Sequence, residues 1–465
     1  MDTAGCCKKD GNTCEDQSSS CCVSEKDEFS CISVSEASED RRRFAAKSSL
    51  VPSKISTIDP AIINSRLLNQ IPPEILEDAE LQHAITLLPP NYNFEAHKSV
   101  WQIRKHGAKR VALQLPEGLQ LFATILSKIF ERFCGCQIVI LGDVTYGACC
   151  VDDYTAKSLD CDFMIHYGHS CLVPVTKTTV KTLYVFVEIV IDIDHVEALI
   201  KKYLLLKEID ADEAEALGFD TVERIKNMKK VAVVSTVQFI STVHVVKQRL
   251  SDLCTAFNIQ LYIPQSRPLS SGEVLGCTAP QLPSDVDGIL YVGDGRFHLE
   301  AIMIANPHLQ GSYFRYDPYS KKFSLEGYNH QEMHQRRLAA IEAAKTAKRF
   351  GLILGTLGRQ GSPAVLDDMR KKLDQHGRPY MTVLMSEIKP AKLAKFVGID
   401  VWVQVACPRL SIDWSSAFDR PILTPYELNV ALGEIAWQNI YPMDFYAKES
   451  LGPWTPNHQP AKPKK

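Results

Sequence analysis

Three stretches of the chain share one pattern of apolar and polar positions. Each begins with a short apolar run, passes through a polar or glycine-rich turn into a helix-like stretch, and ends in a second apolar run. These stretches are residues 109–143, 229–264 and 348–386. The order strand, helix, strand predicts a right-handed crossover in a parallel sheet. We therefore expect three small α/β units.

The helix-like part of the first stretch has a single apolar face. Phe122, Leu126, Ile129, Phe130 and Phe133 recur at steps of three and four residues, the spacing that an amphipathic helix requires. Because the same pattern returns twice more, the chain is predicted to be a repeat of one unit.

Each repeat continues to a cysteine among small residues. These cysteines are Cys149 in YGACCVDDY, Cys277 in VLGCTAP and Cys407 in QVACPRLSIDW, and they follow one another at nearly equal intervals along the chain. Each follows an apolar stretch, so we expect each in a loop at the carboxyl end of a strand, where open α/β sheets bind ligands. Three such loops could direct three thiols at one point. Spacing alone leaves open an iron–sulfur cluster, a zinc site and small buried side chains.

Composition places the chain among globular proteins of the cytoplasm. The 465 residues correspond to about three domains. The 52 basic and 55 acidic residues give a net charge of −3, so we expect no nucleic-acid partner. We also expect no membrane association, because the most apolar run, Leu183–Ile193, is short and contains Glu188 and Asp192. The amino-terminal segment, MDTAGCCKKDGNTCEDQSSS, contains no apolar signal-peptide core.

Fifteen cysteines are unusual in such a protein, because a reducing compartment disfavours disulfides and favours metal or redox roles. Six of them lie in the acidic segment 1–40 and match no zinc template. Cys150 is interpreted as a neighbour of Cys149 that binds nothing. Five further cysteines are predicted to fill the core: Cys134, Cys136, Cys161, Cys171 and Cys254.

The predicted domain organisation has five parts. Residues 1–55 are predicted to be a disordered, cysteine-rich acidic tail. The three α/β repeats are assigned to residues 56–200, 201–335 and 336–446, and residues 447–465 to a flexible carboxyl-terminal tail.

From residue 56 to residue 446 the chain resembles the diphthamide-synthesis family. The resemblance rests on seven motifs in order: GDVTYGACCVDDY, HYGHSCLVPV, STVQF, VLGCTAP, YVGDGRFH, GTLGRQG and ACPRLSIDW. It implies three similar α/β domains with parallel sheets, arranged with pseudo-threefold symmetry around a central 4Fe–4S cluster. It also implies that Cys149, Cys277 and Cys407 bind this cluster and leave one iron open.

The resemblance further implies a transferase. Such an enzyme moves the 3-amino-3-carboxypropyl group of S-adenosylmethionine to a histidine of elongation factor 2 by a radical mechanism, the first step of diphthamide biosynthesis. The chain has no CxxxCxxC motif, which is itself a mark of this family. Because all three cysteines are present, the resemblance favours the catalytic subunit over its paralogue. The implied partners are that paralogous second subunit, in a heterodimer, elongation factor 2 and a small iron-binding electron donor.

Polar residues after the strands are candidates for holding S-adenosylmethionine. They could bind its amino, carboxylate or ribose groups, or they could cap helices and turns instead. These candidates are Glu117, Gln238, Asp294, Arg359 and Gln360.

Four further residues are candidates for catalysis. Asp152 and Asp153 could accept a proton from the substrate ring, or cap the helix that follows them. His166 and His169 could guide the target histidine or support the cluster, or could be buried core residues.

Two other functions compete with the transferase. A cluster-bearing dehydratase similar to quinolinate synthase would also arrange three α/β domains around three cysteines, although its motifs differ from those found here. A non-catalytic paralogue would only stabilise its partner or relay electrons. Loss of one of the three cysteines would favour that alternative, and none is lost.

Overall fold

Three largely parallel β-sheets, each covered by helices, make up the described part of the chain. The computed structural model describes residues 71–143, 145–217 and 219–458. The predicted acidic tail 1–55, with its six cysteines, lies outside the described residues, as do the last residues, 459–465.

The first sheet and its helices come from residues 73–185. Their elements are α1 (Pro73–Leu76), α2 (Ala79–Ile85), β1 (Tyr92–Asn93), α3 (Ala96–His106), β2 (Arg110–Gln114), α4 (Ala123–Cys134), β3 (Gln137–Leu141), α5 (Asp153–Ser158), β4 (Phe163–Tyr167) and β5 (Lys181–Val185). Four of the strands form a parallel sheet in the order β3-β2-β4-β5.

The second sheet comes from residues 188–326. Its elements are β6 (Glu188–Ile189), α6 (Ile193–Ile200), α7 (Ala211–Leu217), α8 (Phe219–Asn227), β7 (Lys230–Ser235), α9 (Ile240–Arg249), α10 (Ser251–Ala256), β8 (Gln260–Tyr262), β9 (Gly288–Val292), α11 (Phe297–Ala305), β10 (Tyr313–Asp317) and β11 (Lys322–Glu326). The strand order is β11-β10-β9-β7-β8, in which only β11 is antiparallel to its neighbour. The short strand β6 pairs instead with β1.

The third sheet comes from residues 330–431. Its elements are α12 (His330–Thr346), β12 (Phe350–Gly355), α13 (Pro363–Gln375), β13 (Tyr380–Met385), α14 (Pro390–Leu393), β14 (Val401–Val405), α15 (Pro408–Trp414), β15 (Ile422–Leu423) and α16 (Pro425–Ala431). All its strands are parallel, in the order β13-β12-β14-β15.

The three sheets share one topology. In each, the first strand lies between the second and the third, and the fourth follows the third. The first strands begin at Arg110, Lys230 and Phe350, so successive repeats start at equal intervals along the chain. The predicted α/β fold with three similar, parallel units is therefore confirmed, whereas the predicted limits of the domains stay predictions.

The helices are formed by the apolar faces predicted from the sequence. In α4, Leu126, Ile129 and Phe130 are buried in the same core as β2, and Phe122 and Phe133 pack at the edge of that core. Burying one such side chain stabilises the fold by roughly 1.5–3 kcal/mol. Gly135 ends α4 with a left-handed φ of 61°, a conformation that costs glycine least.

The carboxyl-terminal residues 447–458 pack against the second core. Trp454 is only 7% exposed and lies with Tyr426 and Tyr441 among the buried aromatic side chains. Trp454 thus anchors part of the segment predicted as a flexible tail, residues 447–465, and this prediction, like the other domain limits, stays a prediction. Among the described residues, no helix is long and apolar enough to cross a membrane.

A buried ion pair fixes the loop that carries Cys407. Arg337 on α12 and Glu427 on α16 have no exposed side-chain surface, and the guanidinium donates to both carboxylate oxygens at 2.6 Å. Arg337 also donates to the carbonyls of Ser411, on α15, and Ile422. Because this one side chain joins three segments, it sets the position of α15, which begins directly after Cys407.

Replacing Arg337 by methionine should lower the free energy of unfolding by about 3–5 kcal/mol, because Glu427 would stay buried without its partner. Urea unfolding measures the loss. The control is Lys345→Ala on the same helix, which breaks an exposed pair with Glu342 and should cost at most about 1 kcal/mol. Equal losses in the two variants would contradict the prediction.

Candidate metal centre

Loops from the three sheets bring three cysteines together. Cys149 lies between β3 and α5, Cys277 between β8 and β9, and Cys407 directly before α15. The three thiols act on one another electrostatically, since a charge on Cys277 or Cys407 affects Cys149, and one on Cys407 affects Cys277. The structure therefore gathers the three predicted residues around a common space.

The three cysteines do not occupy equivalent places in their repeats. Cys149 and Cys277 follow the second strand of their sheets, whereas Cys407 follows the third strand, β14. The intervals between the cysteines are also slightly longer than the interval between first strands. Their nearly constant spacing thus reflects the lengths of loops rather than a shared position, although all three lie beyond carboxyl ends of strands.

The surroundings of these thiols disfavour negative charge. Burial raises the pKa of Cys277 to about 12, and the nearby Cys407 contributes to this rise. Burial also raises the pKa of Cys407. The pKa of Cys149 is raised well above its usual value by a hydrogen bond with the Cys150 thiol, by burial and by the other thiols. Three thiolates would be stable here only with a positive group between them.

The chemistry of the three thiols fits an iron–sulfur cluster. Among the described residues, no three histidine, cysteine or acidic side chains converge closely enough to hold one metal ion. In an iron–sulfur cluster each thiolate binds a different iron atom, so the thiols that hold one need not converge on a single ion. Soft thiolate ligands are also those that such clusters use.

Cys150 lies closer to this centre than the sequence suggested. The neighbouring Cys149 thiol lowers the pKa of Cys150, and a charge on Cys150 would act on Cys277 and Cys407 as well. Its carbonyl accepts a hydrogen bond of 2.8 Å from Gln114. The five cysteines predicted as core residues pack in separate hydrophobic clusters, and all nine described cysteines are free thiols.

A buried carboxyl group joins the first sheet to the second. Glu273, four residues before Cys277, accepts hydrogen bonds from the Ser170 hydroxyl and, at 2.9 Å, from the Ser270 N–H. Burial raises the pKa of Glu273 to about 7. Gln238 donates to the carbonyl of Gly168, so this predicted cofactor ligand already has a partner across the same boundary.

A buried guanidinium joins the second sheet to the third. Arg409 on α15 donates to Glu300 at 2.5 Å and to the Phe297 carbonyl at 2.6 Å. It also donates to the carbonyl of Gly276, the residue before Cys277, and to Asp413. Arg409 therefore ties the Cys277 loop to the segment that follows Cys407.

A second guanidinium joins the third sheet to the first. Arg359 donates to both carboxylate oxygens of Asp153, at 2.8 and 2.7 Å, and stacks on the ring of Tyr154 at 4.0 Å. The Asp153 pKa is lowered because its bonds to Arg359 and Thr179 outweigh burial, which raises it. Beside this pair, Gly358 has a φ of 54°, and a Cβ there would lie 2.4 Å from the Cys150 carbonyl oxygen.

Buried imidazoles form a further group. The Nδ1–H of His166 on β4 donates to Gln114 Oε1 at 2.8 Å, and the ring of His166 lies 5.6 Å from that of His169. Burial lowers the pKa of His166 well below its usual value, and that of His169 to about 4. His298 on α11 also has a pKa lowered to about 4, first by burial and then by His169. The sequence offered no signal for His298 beyond its place after YVGDGRF.

These imidazoles have free nitrogen atoms. His166 Nε2, His169 Nδ1 and His298 Nδ1 are buried and have no hydrogen-bond partner among the described residues. Because buried polar atoms normally have partners, these three atoms mark a place where a ligand could bind.

The other predicted site residues lie near strand ends. Asp152 caps α5 by accepting from the Thr155 N–H at 3.1 Å, as its alternative role predicted. Glu117 and Asp294 are exposed, after β2 and β9 respectively, and Gln360 is half-buried after β12.

Comparison with known proteins identifies a family. The family model described as "Putative diphthamide synthesis protein" matches residues 115–442. The chain is 50% identical over 410 residues to 2-(3-amino-3-carboxypropyl)histidine synthase subunit 1 of Schizosaccharomyces pombe, covering 88% of this chain and 89% of that protein. It is 51% identical to the human protein of the same name over 395 residues, 84% of each chain.

Solved structures resemble the chain as well. The crystal structure of Dph2 from Pyrococcus horikoshii with a 4Fe-4S cluster matches with a TM-score of 0.59 and 28% identity, covering 76% of this chain and 94% of that one. A second crystal structure of Dph2 from the same organism matches with a TM-score of 0.57 and 30% identity, covering 74% and 91%.

Replacing Glu273 by glutamine should change how stability depends on pH. The pKa of Glu273 is raised from 4.5 to about 7 in the folded chain. Its stabilising contribution is therefore complete below pH 4.5 and is lost as the pH rises through 7. The free energy of unfolding of E273Q relative to the unmodified chain should thus rise by roughly 3 kcal/mol between about pH 4.5 and pH 8.

Urea unfolding at several pH values measures this difference. The control is Glu449→Gln, which alters an exposed carboxyl group. Its stability curve should run parallel to that of the unmodified chain. A parallel curve for E273Q would show that Glu273 is not a buried acid.

Proposed function

We propose that this chain, which belongs to the diphthamide synthesis family, is the cluster-bearing subunit of a 3-amino-3-carboxypropyl transferase. Its substrates would be S-adenosylmethionine and a histidine of elongation factor 2, and the reaction a radical transfer that begins diphthamide biosynthesis. The observation that carries the proposal is that Cys149, Cys277 and Cys407, from three different sheets, lie close enough to act on one another.

Cys149, Cys277 and Cys407 would hold a 4Fe–4S cluster with one open iron. Once bound, the cluster would supply a low-potential electron for cleavage of a carbon–sulfur bond in S-adenosylmethionine. A radical suits this reaction because attack at an imidazole carbon would otherwise compete with the ring nitrogens. The chain's task is to fix the thiolates and to keep water away from them, and the buried contacts of Glu273, Arg409 and Arg359 suit this task.

The buried imidazoles are the chain's best candidates for handling a proton. With their lowered pKa values, His166, His169 and His298 are neutral near pH 7, so each has a nitrogen able to accept a proton. Asp153 is less suited, since Arg359 and Thr179 already occupy its oxygens. Asp152 caps a helix. We therefore propose that His166 and His169 line the space that receives the target imidazole.

The polar groups of S-adenosylmethionine need hydrogen-bond partners besides these imidazoles. Glu117, Asp294 and Gln360 have side chains without a hydrogen-bond partner among the described residues, so they are open to a ligand. Gln238 and Arg359 are engaged across the repeat boundaries. Their proposed contact with the cofactor would have to be made in addition to these bonds, or in their place.

The proposed partners follow from the family. Relatives carry the name "subunit 1", which supports pairing of this chain with a paralogous second subunit. Elongation factor 2 would be the protein substrate, and a small iron-binding protein the electron donor. A cytoplasmic location agrees with a centre that needs reduced thiols.

The transfer itself can be tested anaerobically. The reconstituted chain is combined with a second subunit, a reductant, elongation factor 2 and S-adenosylmethionine labelled in its aminocarboxypropyl carbons. Label should appear on the elongation factor. A chain that carries a cluster but moves no label would favour the non-catalytic alternative.

Replacing Cys277 by alanine should remove the cluster and abolish transfer, because one of its three ligands is lost. Iron content and the visible absorbance of the brown cluster are the measurements. The control is Cys254→Ala, which alters a buried cysteine on α10, beside the same sheet, that packs in a separate core. Unchanged iron content in C277A would contradict the proposed role of Cys277 as a cluster ligand.

A further inference from the structure

A segment at the carboxyl end of the chain lies across the metal centre. We call residues 443–448 the strap. The N–H of Phe445 donates to the Cys277 carbonyl at 3.0 Å, and the N–H of Tyr446 donates to the Thr278 hydroxyl at 3.2 Å. Asp444 also pairs with Thr278 as an isolated antiparallel bridge. The strap is therefore in register with the loop that carries Cys277.

Further contacts fix the strap. The Ser266 hydroxyl donates to Asp444 Oδ1 at 2.9 Å, and the Asn457 side chain donates to the carbonyl of Tyr446 at 2.8 Å. Tyr446 is thus held at both its N–H and its carbonyl, which restricts the direction of its side chain.

The side chain of Tyr446 lies beside the cysteines of the metal centre. The Tyr446 ring packs with Phe445, Cys149 and Leu275 in one buried apolar cluster, which Cys277 borders. A phenol keeps its proton at neutral pH, because its ordinary pKa is about 10. Packed in one cluster with Cys149, the Tyr446 hydroxyl is therefore a hydrogen-bond donor close to sulfur.

We infer that Tyr446 donates a hydrogen bond to sulfur at the Cys149 corner of the metal centre, and that the strap holds it there to set the reduction potential. The inference rests on the proposed function, because it requires a cluster on Cys149, Cys277 and Cys407. A hydrogen bond to sulfur stabilises the more negative, reduced state and so raises the potential. The family model ends at residue 442, directly before the strap.

The role of Tyr446 can be tested by removing only its hydroxyl. In Tyr446→Phe the ring stays in the apolar cluster, so the content of iron–sulfur cluster should match that of the unmodified chain. The midpoint potential, from an anaerobic redox titration followed by the electron paramagnetic resonance signal of the reduced cluster, should shift to a more negative value.

The matched control is Tyr441→Phe. This change deletes the same group from a buried tyrosine of the same region, whose hydroxyl donates to Glu427 at 2.9 Å. Y441F should lower stability and leave the midpoint unchanged. A second variant, Asn457→Ala, frees the Tyr446 carbonyl but keeps the hydroxyl, and should shift the midpoint in the same direction by a smaller amount.

The possible outcomes separate the two proposals. A normal iron signal and an unchanged midpoint in Y446F would overturn the role of Tyr446 and leave the proposed function intact. An unmodified chain that never carries a 4Fe–4S signal would overturn both. If Y446F cannot retain iron, an unchanged midpoint in N457A would overturn the inference, and a negative shift there would support it.

Discussion

The gathering of three thiols in one place is the constraint on which the rest of this structure depends, because their thiolates would repel one another. Cys149, Cys277 and Cys407 come from three separate sheets, and burial together with their neighbours opposes a charge on each. Apolar packing alone would let such loops move apart once the thiols ionise. The chain instead fixes each boundary between sheets with a buried polar contact: Glu273 with Ser170, Arg409 with Glu300, and Arg359 with Asp153.

These contacts also relate the metal centre to the sheets around it. Arg409 bonds to the backbone next to Cys277, and Arg337 bonds to the helix that begins after Cys407. Arg409 and Arg337 therefore hold the segments next to Cys277 and Cys407 in fixed positions against packed helices. Removing one partner of such a pair leaves a buried charge without compensation, a larger loss than that of a surface pair. A centre that would bind the proposed cofactor through loops needs this support, because small displacements change ligand geometry.

Much of the fold followed from periodicity, since strand, helix and strand need only local patterns such as the stripe of Leu126, Ile129 and Phe130. The cysteines followed from their spacing and from family motifs. Contacts between residues far apart in the sequence do not follow from local patterns. The sequence predicts separate roles for Arg359 and Asp153, although the two side chains bind each other. The contacts of the strap likewise join residues far apart in the sequence, Asp444 with Ser266 and Tyr446 with Thr278, and no local pattern predicts them.

The position of the strap has a consequence for the order in which the protein is made. Synthesis runs from the amino end, so Cys407 and then Tyr446 leave the ribosome after the strands of the first two sheets. A nascent chain that ends after the second sheet has neither Cys407 nor Tyr446. The three cysteines therefore come together only with the final part of the described chain. On the proposed function, the cluster would be loaded after translation of the third unit, and a chain stopped before the strap would leave Cys149 and Cys277 more open to oxidants.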